Sequence, residues 1–199
     1  VHAGGPEIGL AGGFQRRNGA VAVAMAQALA EQGWRIDAAA IRQGLARARW
    51  PGRLERHQWH GLSLLLDGAH NPPAAQSLRQ ELTARDGLAP RRWLLGIQRH
   101  KEAAAMLRAL LLPGDQALIT PIPGHACWDL QELAAACPEH AHQLQPVADP
   151  AAGLERLVLL QEASTGTKTS SGLPPPLPVA AGSLYLLGDL LSRFAADPG

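Results

Sequence analysis

The chain has 199 residues, 46% of them hydrophobic, and a formal net charge of +1 with histidine neutral. That is enough for one domain and part of another. The near-neutral charge offers no field to draw DNA, RNA or an anionic membrane, and no apolar run reaches the roughly 18 residues of a spanning helix.

Residues 18–32 read as an Ala-rich helix, with Asn18 as its N-cap and Gly33 as its stop. Residues 37–47 read as a second, shorter helix with Asp37 near its start. Trp50-Pro51-Gly52 then breaks the pattern, and a domain junction is expected there, giving units 1–50 and 51–199. Beyond it, extended segments are expected at 53–58, 62–66, 93–97, 116–120, 143–147 and 179–181, counted as about five strands. Helices are expected at 74–85, 101–112, 129–136, 150–161 and 183–194. Strands alternating with helices of this length predict an α/β fold with a mostly parallel sheet and helices on both faces. Residues 163–178 are rich in Ser, Thr, Gly and Pro and read as a flexible, low-complexity insert. Its GTKTSSG stretch lacks the spacing of a phosphate loop.

The sharpest local feature is Leu64-Leu65-Leu66-Asp67-Gly68-Ala69-His70-Asn71-Pro72. An apolar strand ends in an acid, a glycine and a His-Asn pair before a helix. Ligands of parallel α/β sheets collect beyond the carboxyl ends of strands. Asp67 there can accept from ribose hydroxyls, and His70 and Asn71 can bond a nucleotide or phosphate near the helix N-terminus. Equally, Asp67 and Asn71 can simply cap a turn and a helix. Arg53, after the rigid Pro51-Gly52 turn, presents a fork of donors suited to phosphate, or pairs with Glu55 on the surface. Gln15 and Asn18 carry amides able to read a purine edge, or serve only a loop and a cap. Lys101, in His100-Lys101-Glu102, follows another strand end, or forms an exposed pair with Glu102. Ser183 opens the last helix, which its capping role alone would explain.

No metal ligand set stands out. His57/His60 and His140/His142 have no clear partners among Cys or acids, so no zinc is assigned. The two cysteines, Cys127 and Cys137, fit neither a CxxC pair nor a disulfide framework. Residues 1–13 lack the pattern of an export signal. A reducing, cytoplasmic setting is expected.

The ordered series GGFQRRN, WPGRLE, LLLDGAHNP, strand–HKE–helix and AAGSLYLLGDL resembles the Mur ligase superfamily. Within it the likeness is to folylpolyglutamate synthases and dihydrofolate synthases. The resemblance implies that residues 1–50 end a central ATPase domain and that 51–199 form a Rossmann-like C-terminal domain. It places Gln15 and Asn18 by the adenine, Arg53 and Asp67 on the nucleotide, and His70 near the reacting phosphate and glutamate. Asn71 and Ser183 would hold substrate, and Lys101 would occupy the family's lysine position in a DKD-like segment. Phe14 stands where the family usually has His, and His100 stands where it usually has Asp.

The implied chemistry of the intact enzyme is ATP- and Mg2+-dependent joining of L-glutamate to dihydropteroate or folate through an acyl phosphate. The family's GTNGKGS-like phosphate loop, its Mg2+ ligands and its modified lysine are not in these residues. The chain also opens on Val and enters a helix almost at once. It is therefore expected to be an inactive C-terminal fragment, a monomer, whose partner is the missing N-terminal and central region. Three other readings stand beside it: a ligase acting on cell-wall precursors, a non-catalytic nucleotide-binding or interaction module, and a purely structural α/β domain.

Overall fold

The computed structural model describes residues 7–10, 12–163 and 175–197. The chain divides into two compact units, Val1–Leu54 and Glu55–Gly199.

The first unit holds two helices, α1 (Phe14–Glu31) and α2 (Ala38–Arg47). Asp37 caps α2 as expected, its carboxylate accepting from the Ala40 amide at 2.6 Å. Asn18 does not cap α1. The helix starts one turn earlier, after Gly13, because the Gly12 and Gly13 carbonyls already accept from Gln15 and Arg16. Ile8 lies against Gly19, where a Cβ would stand 2.6 Å from Ile8 Cδ1. The unit buries little more. Val21, Met25 and Leu29, spaced to share one face of α1, are 55%, 64% and 38% exposed.

The second unit is built on a six-stranded sheet in the order β1-β2-β6-β3-β4-β5. Its strands are β1 (Glu55–Trp59), β2 (Leu62–Leu66), β3 (Arg92–Leu95), β4 (Gln116–Ile119), β5 (Leu144–Pro146) and β6 (Val179–Ala181). Five are parallel, and β1 lies antiparallel to β2, with Glu55 opposite Leu66 and Trp59 opposite Leu62. The extended segment expected at 53–58 is thus one arm of a hairpin. Its turn residues His60 and Gly61 both have positive φ, 46° and 75°, the conformation that matches strand twist in a two-residue hairpin loop.

The connecting helices are α3 (Pro72–Asp86), α4 (Ala103–Leu110), α5 (Leu130–Ala136), α6 (Pro150–Ala163) and α7 (Leu184–Ala196). A 3-10 helix, Pro138–Gln143, follows α5 where the sequence reading has only a connection. The helix expected at 101–112 is shorter, so Lys101 sits in the loop before α4. The insert expected at 163–178 falls mostly outside the described residues. At its described ends, Ala163 closes α6 and the Pro178 carbonyl accepts from Leu65.

Alternation along the strands sends side chains to two faces. On one face Leu62, Leu64, Leu66, Leu94, Leu118 and Ala180 pack with Leu154 and Leu157 of α6 and Leu186, Leu187, Leu190 and Phe194 of α7. Gly153 lets α6 approach, since a Cβ there would lie 2.5 Å from Leu94 Cδ1. The opposite face carries Trp93, over which Arg79 of α3 lies 5.9 Å from the ring centroid. Buried Asp115 joins these parts. Its carboxylate accepts from Trp93 Nε1 at 3.0 Å and from the Arg91 amide at 2.8 Å, and pairs with Arg79 at 3.1 Å. Helices therefore cover both faces.

Candidate active site

The strand order creates a switch point. From β2 the chain leaves to α3 on the Trp93 face. From the neighbouring β6 it leaves to α7 on the Leu94 face. Adjacent strands that send their helices to opposite faces open a crevice beyond their carboxyl ends, the usual place for a ligand in such sheets. Two of the loops singled out in the sequence meet there.

The first is Asp67–Asn71. The Asp67 amide continues the sheet by donating to the Ala180 carbonyl at 3.0 Å. Its buried carboxylate turns back and accepts from the Ala69 amide at 2.9 Å. This fixes the loop as an Asx-type turn. His70 Nδ1 lies 2.7 Å from the Gly68 carbonyl oxygen. A carbonyl only accepts, so Nδ1 carries the proton, and the neutral ring keeps its lone pair on Nε2. His70 is half-buried, and the next residue, Asn71, is the N-cap of α3. The Asn71 side-chain oxygen accepts from the Ala74 amide at 2.9 Å. The capping role considered for Asn71 is real.

The second is Gly182-Ser183. The Gly182 amide donates to the Ala69 carbonyl at 2.9 Å, which stitches the two loops together. Ser183 is buried and caps α7, its Oγ accepting from the Tyr185 amide at 3.1 Å. The structure thus brings Asp67, His70, Asn71 and Ser183 to one end of two paired strands.

Lys101 lies beyond the next strand, β3. Its loop is held by Trp128, whose Nε1 donates to the Lys101 carbonyl at 3.1 Å. No ion pair joins Lys101 to Glu102 among the described residues. In the first unit, Asn18 Nδ2 donates to buried Gln15 Oε1 at 2.9 Å, so these two amides form a pair on α1. Arg53 sits between Gly52 and Leu54, both with positive φ, in a sharply turned backbone.

The loop after β4 carries a contact that no motif in the sequence marks. Its His125 ring lies against the Tyr185 ring of α7, tilted by 32° with centroids 3.9 Å apart. The same rule that drew attention to Asp67, a polar group beyond a strand's carboxyl end, applies to this loop. A separate cavity of about 500 Å3 lies at the opposite, amino edge, lined by Arg56, Arg92, Gln116 and Gln161 among others. None of the candidate residues Gln15, Asn18, Arg53, Asp67, His70, Asn71, Lys101 and Ser183 lines it, and strand topology favours the carboxyl edge.

The model of the family described as "Dihydrofolate synthetase, C-terminal domain" matches residues 52–193. A folylpolyglutamate synthase of Lacticaseibacillus casei is 37% identical over 121 residues, 59% of this chain and 27% of that protein. A dihydrofolate synthase/folylpolyglutamate synthase of Mycobacterium tuberculosis is 28% identical over 200 residues, 95% of this chain and 40% of that protein. The chain thus spans less than half the length of these relatives. The crystal structure of the M. tuberculosis folylpolyglutamate synthase complexed with ADP and AMPPCP superposes with a TM-score of 0.77 at 25% identity. It covers 96% of this chain and 42% of that one. The mostly parallel α/β sheet is the expected Mur ligase C-terminal architecture. With its family model matched over most of its residues, the chain belongs to the folylpolyglutamate synthase/dihydrofolate synthase family, as the C-terminal part.

Proposed function

We propose that this chain is the nucleotide- and glutamate-facing part of an ATP-dependent ligase that joins L-glutamate to dihydropteroate or folate. The observation that carries this reading is the stitched pair of loops at the switch point, with Asp67 and His70 on one and Ser183 on the other. ATP would phosphorylate a carboxylate of the pterin or folate substrate. The amine of glutamate then attacks the acyl phosphate, releasing phosphate and forming the amide.

Asp67 is assigned to the nucleotide, as an acceptor for ribose hydroxyls. His70 is assigned to the reacting phosphate and glutamate. Its Nδ1–H is held by Gly68, so the ring has one orientation and presents Nε2. Neutral, it can accept a proton from the attacking amine; protonated, it can balance phosphoryl charge. Ser183 and Asn71 are assigned to substrate, and Lys101 to the charge that develops near the phosphate. Gln15 and Asn18 are assigned to the adenine and Arg53 to the nucleotide, on the resemblance of their motifs. A magnesium ion bound with ATP would neutralise phosphate charge. No residue of this chain is assigned to hold it. The sequence contains no GTNGKGS-like loop. Since backbone N–H groups and a lysine usually anchor such phosphates, the 199 residues alone are expected to make no amide and to bind ATP weakly.

The test is a substrate panel on a ligase restored to full length. ATP-dependent glutamate addition to dihydropteroate or folate, with none to cell-wall precursors, supports the reading. Activity confined to cell-wall precursors would replace it with the other ligase reading. No activity on either would favour a non-catalytic binding module.

A further inference from the structure

The 3-10 helix Pro138–Gln143 creates a second cluster, remote from the carboxyl edge. Cys137 Sγ, a Glu139 carboxylate oxygen and a His140 ring nitrogen all lie within 4.8 Å of one another. The tight winding explains the meeting. With three residues per turn, residues i and i+3 eclipse, and the His140 amide donates to the Cys137 carbonyl at 3.0 Å. A search of the sequence for pairs of His misses this, because the donors are three different residue types on one turn.

The imidazole is oriented in advance. Gln143 Nε2 donates to the Leu112 and Asp115 carbonyls at 2.7 and 3.0 Å. Its amide nitrogen is therefore committed, and Gln143 Oε1 faces His140 Nδ1 at 2.6 Å. That oxygen only accepts, so Nδ1 carries the proton and the neutral ring holds its lone pair on Nε2. An acceptor fixing one ring N–H while the other nitrogen ligates is the usual surrounding of a metal-bound histidine.

We infer that Cys137, Glu139 and His140 bind a single transition-metal dication of the zinc type. A thiolate and an imidazole favour such a borderline-soft ion over Mg2+ or Ca2+, which prefer shells of oxygen. Three protein donors leave a fourth, tetrahedral position for water. The Cys137 thiol releases its proton to solvent as the metal–sulfur bond forms. Glu139 is at present paired with Arg108 of α4 at 2.6 Å. Both partners are exposed, and an exposed pair contributes little, so Arg108 can turn into water when the metal takes the carboxylate. Cys137 is buried and Glu139 exposed, so the ion enters from the Glu139 side. The cluster precedes β5, at the amino end of the outer strand, and Asp67 and Ser183 stand beyond the carboxyl ends of β2 and β6. The metal's role is therefore to brace the turn between α5 and β5, not to take part in group transfer.

The probe is Co2+ added to the EDTA-stripped chain, followed by Zn2+ calorimetry. One equivalent of Co2+ should give a near-ultraviolet thiolate-to-cobalt charge-transfer band and the intense visible bands of tetrahedral cobalt. Cys137→Ser should abolish the charge-transfer band, and Cys127→Ser should leave it. His140→Ala and Glu139→Gln, on more accessible residues that spare the buried thiol, should each weaken Zn2+ binding roughly 10-fold or more, with circular dichroism confirming that each variant folds. Absence of the band in the wild-type chain would overturn the site. So would a band that survives Cys137→Ser, or Zn2+ affinity unchanged in both His140→Ala and Glu139→Gln.

Discussion

The Gly182 amide donates to the Ala69 carbonyl at 2.9 Å, and this bond holds the loop after β6 to the loop after β2. Gly182 has φ 103°, and a Cβ there would stand 2.6 Å from the Gly96 carbonyl oxygen. Only glycine suits both demands. Gly182→Ala is therefore expected to destabilise the chain by about 2 kcal/mol or more, through left-handed strain and the backbone clash. For a chain of this size that corresponds to a drop in Tm of at least about 4 °C. A melting temperature within about 1 °C of wild type would mean that the stitched geometry is not under this constraint.

A second constraint lies beneath α3. Burial lowers the pKa of the Arg79 guanidinium, Asp115 opposes that shift, and Arg91 adds to it. Among the described residues Arg79 Nε and one terminal nitrogen have no hydrogen-bond partner, so Asp115 carries the compensation for a buried charge. Asp115→Ala removes it and also strips an acceptor from Trp93 Nε1 and from the Arg91 and Leu112 amides. Breaking a buried pair from one side costs about 3–5 kcal/mol. Urea unfolding measures this directly, and a loss below about 1 kcal/mol would reduce the pair to a surface-like contribution.

The Arg108–Glu139 pair gives a pH signature in metal-free protein. Its hydrogen bond to Arg108, followed by a backbone hydrogen bond, lowers the Glu139 pKa from 4.5 to about 2. A depressed folded pKa contributes stability that is complete above the unfolded value. That contribution is lost as pH falls from about 4.5 to about 2. Both groups are exposed, so salt should weaken the effect. A side-chain NMR titration should place Glu139 well below the usual carboxylate range, and Arg108→Ala should move it back up. A Glu139 midpoint at an ordinary value in the wild-type chain would refute the pairing.

Much of the second unit was legible because local signals agreed. The apolar runs at 62–66, 93–97 and 116–120 announced the buried strands that end at Leu66, Leu95 and Ile119, and Asn71 and Ser183 announced helix starts. Other features were hidden for physical reasons. The start of α1 was misplaced because Asn18 is a good cap by type, while the actual start rests on Gly12 and Gly13 carbonyls that leave no side-chain signal. Strand order, and with it the meeting of Ala69 with Gly182, is a long-range property. The Asp115 hub and the His125–Tyr185 ring contact likewise join distant segments. The pairing of β1 could be suspected only from Gly61, since its strand is half exposed and carries no apolar run.

The exposed stripe of Val21, Met25 and Leu29 bears on the first unit. Short helices are marginal without tertiary burial, and α2 has no buried residue. Amide exchange across residues 18–32 of the isolated chain should be fast compared with that of α7, whose Leu186, Leu187, Leu190 and Phe194 are buried. Protection of α1 equal to that of α7 would show that the first unit is anchored within these 199 residues.

The central claim is that the carboxyl-edge loops bear on nucleotide and glutamate. Steady-state amide formation from ATP, L-glutamate and dihydropteroate or folate tests it most directly, using the full-length enzyme, its Asp67→Ala and His70→Ala variants, and the isolated chain. Loss of one transition-state interaction of about 1.4 kcal/mol lowers kcat/KM roughly 10-fold. Each variant should fall by that much or more, Phe14→His should be tolerated, and the isolated chain should show no turnover. Unchanged kinetics in both alanine variants, or robust turnover by the isolated chain, would contradict the account.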